Sequence, residues 1–296
     1  MTDLPPARNC VGIVGVGLIG GSGARAARKY AGSRRVIGFG RRPQRLRQAQ
    51  QLGIVDEIAG DMEQLSAADL VIVCTPVDRI VDDISAVLQR TPPTTLVTDA
   101  GSVKAAVCHE IRKLGDLAKR FVGSHPLAGS HRSGFENADA DLFVKRKCVV
   151  TPGQESSSDT LAEITSFWQL LKMDVRTMPP EEHDRVLALT SHLPHLAAAA
   201  VAGLIGRGEV EFAATGFADT TRVAGGDPDL WTAIFSENTA DVVAATDLYI
   251  DLLQQYRQAL AGDDQAALRA LLAIAQKNRR AYDKLHDSDD NHGEHA

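Results

Sequence analysis

The chain has 296 residues, 44% hydrophobic and 24% charged, which suits one large domain or two ordinary ones and excludes a disordered or coiled-coil protein. A formal net charge of −6 speaks against non-specific nucleic-acid binding. No uninterrupted apolar run reaches the roughly 18 residues of a membrane span, so neither nucleic acid nor membrane is an expected partner.

The N-terminus, MTDLPPARNC, is acidic and then proline-rich, unlike a signal peptide. Cys10, Cys74, Cys108 and Cys148 form no CxxC pair, and buried reduced thiols in a cytoplasmic protein are the expectation. From residue 10 the chain alternates short β-rich runs with helical spacings. CVGIVGVG (10–17), RVIGFG (35–40), LVIVCTP (70–76), TLVTDAG (95–101), RFVGSHP (120–126), KCVVTP (147–152) and MDVRTM (173–178) read as strands. Helices fall between them, notably 18–30, 77–89 and 102–114. Near-continuous apolar strands separated by helices predict an α/β domain with a parallel, doubly wound Rossmann-type sheet. After Met178-Pro179-Pro180 almost everything reads as helix: 181–206, 209–215, 229–261 and 264–284. The predicted organisation is a dinucleotide-binding domain over 1–178, an all-α domain over 179–284 and a polar, disordered tail over 285–296.

Gly15-Val16-Gly17-Leu18-Ile19-Gly20 matches G-x-G-x-x-G between a strand and a helix, the context in which the motif binds a dinucleotide. The first glycine makes the turn, the second admits the pyrophosphate, the third lets helix and strand pack, and the helix N-terminus favours the phosphate charge. The acidic residue expected some 20 positions on is missing. The second strand ends Gly38-Phe39-Gly40-Arg41-Arg42, where a glycine leaves room and two arginines suit a 2′-phosphate. NADP is favoured, with NAD possible; the alternative is that Arg41 and Arg42 only solvate the start of the next helix.

Ligands of doubly wound sheets lie beyond the carboxyl ends of the strands. Those ends carry Thr75-Pro76, expected at the cofactor, Ser102 and Lys104 in DAGSVK, and His125 in GSHPLAGS. Ser102 alone reads as readily as an N-cap, and Lys104 as an exposed first-turn residue. His125, after an apolar strand and before a proline, is the expected general base.

GVGLIG, DAGSVK, GSHPLAGS, SHLPH and TTRVAGGDPDLW, in this order, resemble the prephenate/arogenate dehydrogenase family over roughly residues 10–280. The resemblance implies a helical dimerisation domain, hence a homodimer. It also implies oxidative decarboxylation of prephenate to 4-hydroxyphenylpyruvate, or of arogenate to tyrosine, with hydride passing to NAD(P). By motif it makes His125 the catalytic histidine, assisted by Ser102. Ser191, His195, Ser130 and His131 become substrate-side residues, and Arg222 the anchor for a carboxylate. A guanidinium suits that task, because its planar fork matches a carboxylate. Many members carry an acidic residue where this chain has His131, and the more cationic pocket favours prephenate over arogenate. With no appended regulatory domain in sight, tyrosine feedback is expected to act at the active site.

In SHLPH, Ser191 and His195 are four apart and share a helical face, which His192 borders. Pro194 is expected to bend the helix and free backbone groups near the cleft between the domains, with His195 facing the substrate. A zinc pair is the rival, but HxxH supplies two ligands and no third is evident, so no metal is expected. Other two-domain dehydrogenases, such as β-hydroxyacid dehydrogenases, would use a lysine acid or base, and His125, Ser102, His195 and Arg222 argue against a non-catalytic dinucleotide-sensing module.

Overall fold

The computed structural model describes residues 9–129 and 132–290; Ser130 and His131 lie outside them. The chain divides into two compact units, Met1–Thr239 and Ala240–Ala296.

The first unit is built on β1 (Cys10–Val14), β2 (Arg35–Phe39), β3 (Glu57–Ile58), β4 (Leu70–Val73), β5 (Leu96–Asp99), β6 (Phe121–Pro126), β7 (Lys147–Thr151) and β8 (Asp174–Thr177), in the sheet order β3-β2-β1-β4-β5-β6-β7-β8. Between them run α1 (Leu18–Ala31), α2 (Pro43–Gln51), α3 (Val77–Arg90), α4 (Ala105–Arg112) and α5 (Ser158–Leu170). Alternate residues of β1 serve opposite faces, as a pleated strand requires. Val11 and Ile13 join a core with Ala24 of α1 and Trp168 of α5, whereas Cys10 and Val14 join one with Ile80 and Ile84 of α3 and Ile111 of α4. Both faces are therefore covered, as predicted for a doubly wound sheet.

Two features depart from the sequence reading. β3 is a two-residue edge strand too short for any periodicity to reveal. The sheet is also not wholly parallel, because β7 runs antiparallel to β6 while β8 runs parallel to β7. The physical reason is the connection. Among the described residues no crossover helix joins β6 to β7, and the chain returns in the opposite sense, whereas α5 provides the crossover between β7 and β8.

Beyond the sheet the first unit continues with α6 (Pro180–Leu187), a π-helical turn (Ala188–His192), α7 (Leu193–Leu204), α8 (Arg207–Val210), α9 (Thr215–Thr221), a 3-10 turn (Arg222–Gly225) and α10 (Pro228–Glu237). Pro180–Leu204 is one continuous helix, and by length and composition alone it is apolar enough to cross a membrane. It nonetheless carries the buried polar residues His183, Asp184, His192 and His195. Pro194 does not break it. The ladder widens instead, and the Leu193 N–H reaches the Ala188 carbonyl five residues back. Pro194 then occupies the second position of α7, where a missing N–H costs little. The extra residue of the wide turn shifts the helical phase. His192 and His195 are both buried, while Ser191 is half-buried.

The second unit holds α11 (Thr239–Ala261) and α12 (Gln265–Asp290). The stretch 229–261, read from sequence as one helix, is divided at Asn238, whose side chain turns into the interior to donate to the Asp184 carbonyl at 2.9 Å. α12 extends past residue 284, where the sequence signals end.

Candidate active site

The glycine loop has the geometry its spacing predicts. Gly15 sits at φ +89, and a Cβ there would meet the Cys74 carbonyl at 2.9 Å. A Cβ on Gly17 would meet nothing within 4 Å, which leaves the backbone open to a ligand. A Cβ on Gly20 would clash with the Gly15 carbonyl oxygen and lie 2.9 Å from Ile13 Cγ2. Leu18 and Ile19 form the first turn of α1; Ile19 packs on the core, so backbone N–H groups are what this turn presents.

Beside the loop lies a cavity of about 570 Å³ lined by Gly15, Gly17, Gly40, Arg41, Arg42, Thr75 and Pro76, seven of the residues assigned to the cofactor. A Cβ on Gly40 would find no atom closer than 3.8 Å. The Thr75 hydroxyl is buried with no partner among the described residues, a polar atom waiting for a ligand. These features fit a nicotinamide dinucleotide. Asp227 and Arg45 also line the cavity, and the sequence reading did not assign either. A second cavity, of about 440 Å³, is lined by Arg112, Gln154 and Met178 among others, and the one histidine in its lining, the exposed His109, is none of the site histidines.

His125 stands near the end of β6 in a rigid frame. The preceding Ser124 bonds Thr98 Oγ1 at 2.6 Å and accepts from Trp168 Nε1 at 2.9 Å, and its N–H donates to Asp99 Oδ1 at 3.0 Å. Lys104 is fully buried, ion-paired to Asp99 and donating to the Ser124 carbonyl at 3.1 Å. This corrects the expectation of an exposed first-turn lysine: Asp99 and the Ser124 carbonyl give its ammonium partners inside the protein. The N-cap reading of Ser102 also falls, because α4 begins only at Ala105. Its first N–H groups are capped instead by Asp184 from α6, which accepts from Lys104 N and Ala105 N at 2.8 Å each. Ser102 is left half-buried in the bend after β5.

Asp184 also orders a chain of imidazoles. His183 Nδ1 lies 2.7 Å from Asp184 Oδ1, and His183 Nε2 lies 2.9 Å from His125 Nδ1. A carboxylate only accepts, so His183 carries its proton on Nδ1 and offers Nε2 as acceptor. His125 must then donate from Nδ1, which leaves its Nε2 lone pair free. Burial, with the nearby His183, Lys104 and His192, holds the His125 pKa well below the usual histidine range. It is neutral at pH 7, in the tautomer a base needs. Sequence reasoning missed His183 and Asp184. Extending the polar face of SHLPH two turns back along the same helix would have reached them.

A second group forms on α7 and α10. The His195 ring stacks on Trp231 with centroids 3.6 Å apart and planes within 15°. Its Nδ1 is buried without a partner among the described residues. His192 is buried, its pKa pushed down to about 4 by burial, with Nδ1 3.2 Å from Asn238 Nδ2. Gly226 closes on this stack: a Cβ there would lie 2.7 Å from Trp231 Nε1. Trp231 also packs with Val77 of α3 and with Val103, the neighbour of Ser102. The TTRVAGGDPDLW segment therefore spans from the nucleotide cavity, through Asp227, to the imidazoles. Arg222 opens the 3-10 turn that packs on α7, and it is exposed with no ion-pair partner among the described residues. Ser191 lies in the π-helical turn. No cluster of three or more metal-ligating side chains occurs among the described residues.

Comparison with known proteins agrees with this geometry. Residues 23–177 match the family model for the prephenate dehydrogenase nucleotide-binding domain, and 179–274 match that for the prephenate dehydrogenase dimerization domain. A cyclohexadienyl dehydrogenase of Zymomonas mobilis is 32% identical over 94% of this chain and 97% of its own length. The crystal structure of Aquifex aeolicus prephenate dehydrogenase with hydroxyphenyl propionate and NAD+ superposes with a TM-score of 0.87 at 29% identity, covering 93% of this chain and 98% of that one. A Synechocystis arogenate dehydrogenase gives a TM-score of 0.80 at 30% identity, over 92% and 99% of the two chains. With both parts of its fold matched in this way, the chain belongs to the prephenate dehydrogenase family of oxidoreductases.

Proposed function

We propose that the chain converts prephenate to 4-hydroxyphenylpyruvate and carbon dioxide, with NADP as the preferred acceptor. The observation that carries this reading is the Asp184–His183–His125 chain, which presents an unprotonated Nε2 at the rim of the sheet. A nicotinamide bound in the cavity would supply the acceptor for the hydride that leaves the carbinol carbon of the substrate.

His125 accepts the ring hydroxyl proton as that C–H bond breaks; the ring then aromatises as its carboxylate leaves as carbon dioxide, the released electron pair passing through the ring to the new carbonyl oxygen, which takes the proton back from His125. His183 accepts the His125 Nδ1 hydrogen bond, and Asp184 steadies the positive charge that develops across the two rings. Ser102 orients the hydroxyl or the histidine. Arg222 binds a substrate carboxylate, with Ser191 and the unpartnered His195 Nδ1 supplying further polar contacts. Gly15, Gly17 and the first turn of α1 would hold the pyrophosphate of the cofactor, with Thr75 and Pro76 lining the same cavity.

NADP preference is read from Gly40, Arg41 and Arg42, which line the cavity with no competing carboxylate at the end of β2. Prephenate over arogenate is read from the sequence at His131, followed by Arg132, where many family members carry an acidic residue. The second unit exposes Leu248, Leu252, Leu253, Leu260, Leu272 and Ile274 on its two long helices, which supports a homodimer through the helical region that begins at residue 179. The four cysteines are free and three are buried, which fits a reducing cytoplasm.

The test is a matrix of prephenate and arogenate against NADP and NAD, followed by nicotinamide absorbance. The highest kcat/KM is expected for prephenate with NADP, and His131→Glu is expected to shift the preference towards arogenate. A strong wild-type preference for arogenate would overturn the substrate assignment, and one for NAD the cofactor assignment.

A further inference from the structure

Arg45, in the first turn of α2, lines the nucleotide cavity. We propose that it is the platform on which the adenine ring of the cofactor stacks, with Glu136 and Phe135 as the residues that position it. The inference rests on reading this cavity as the dinucleotide site, and it holds for NAD and NADP alike.

Two sides of the Arg45 guanidinium are already engaged. Its terminal nitrogens fork onto the Glu136 carboxylate, Nη1 to Oε1 and Nη2 to Oε2, the latter at 2.8 Å. The guanidinium lies over the Phe135 ring, with Cζ 4.2 Å from the ring centroid. Phe135 is itself buried and belongs to the core, so that contact is anchored. Glu136 follows it in a 3-10 turn (Phe135–Asn137), entered by Gly134 at φ +87, a conformation that glycine adopts without strain.

The nitrogens that would grip a phosphate are thus occupied by a carboxylate. What Arg45 still has for the cavity is the planar surface turned away from Phe135 and Glu136. A flat, delocalised cation offers such a face to an aromatic ring. The adenine is the aromatic group at that end of a dinucleotide whose pyrophosphate lies on the glycine loop. Arg41 and Arg42, by contrast, have no ion-pair partner among the described residues, so a 2′-phosphate falls to them and the base to Arg45.

The experiment titrates the full-length chain with NADPH, NADH and reduced nicotinamide mononucleotide, which lacks adenine, using nicotinamide fluorescence. Arg45→Lys keeps the charge and removes the plane. It is expected to weaken NADPH and NADH by the same factor, roughly tenfold, and to leave the mononucleotide unchanged. Glu136→Gln, which loosens the fork, is expected to weaken NADH by a smaller factor, again without touching the mononucleotide or the urea midpoint. A loss confined to NADPH would make Arg45 a phosphate ligand and overturn the proposal. So would an equal loss for all three ligands, or no loss at all. If the wild-type chain bound neither dinucleotide, the reading of the cavity would fail with it, an outcome distinct from a normal wild type beside an indifferent Arg45→Lys.

Discussion

Around the nucleotide cavity the chain contributes mainly backbone and empty space, while around His125 it contributes buried polar side chains. Gly15, Gly17 and Gly40 are where side chains are missing, and one short loop supplies two of them. The imidazole site needs Asp99 from the end of β5, Lys104 from the start of α4, His125 from β6, His183 to His195 from one helix, and Trp231 from α10. A backbone site is specified locally and fails locally. A site of buried polar groups holds only if every partner arrives, because each group stranded without a hydrogen bond costs about 1–3 kcal/mol.

The sharpest way to break the comparison is at its catalytic end. His125→Asn should lower kcat by roughly 10²–10⁴ while NADPH affinity, read by fluorescence, stays as it was. Lost cofactor binding would mean that the two halves are not separable. Arg222→Ala should next raise KM for the substrate about tenfold or more and spare kcat, since a carboxylate anchor acts in the ground state and transition state alike. A fall in kcat at constant KM would reassign it to the chemistry.

Within the glycine loop, Gly20→Ala should cost about 1–3 kcal/mol of stability by overpacking, visible as a lower urea midpoint. Gly17→Ala should leave that midpoint alone and weaken the dinucleotide only.

The mildest effect is on stability against pH. His125, His183, His192 and His195 all have folded pKa values below the unfolded 6.5, chiefly through burial. Protons therefore bind the unfolded chain first. Stability is full above about pH 6.5 and falls as pH drops towards the folded values, about 4 for His192, by up to about 1.4 kcal/mol per pH unit for each histidine. Urea unfolding at pH 7.5 and 5.5 measures the slope, and His192→Asn should reduce it. A midpoint independent of pH would show that these rings ionise inside the fold.

Much of the fold follows from local pattern. Strand runs, glycine spacing and the change to helix after Pro179 need only neighbouring residues to be read, and they locate the cavity and the end of β6. The antiparallel β7, the two-residue β3 and the division at Asn238 do not follow, because each depends on a connection or a hydrogen bond from far along the chain. Lys104 shows the limit most plainly. Its sequence neighbours describe an exposed helix start, yet Asp99, the Ser124 carbonyl and the capping carboxylate of Asp184 make it an interior residue.

The sequence by itself determined that there would be a nucleotide loop and a histidine at a strand end, because glycine sterics and hydrophobic period act over a few residues. Only the tertiary structure decided which nitrogen of His125 is free. That choice is made by the Asp184 carboxylate, far along the chain on α6, and passed through the ring of His183. A proton's place on an imidazole is fixed by what its other nitrogen touches.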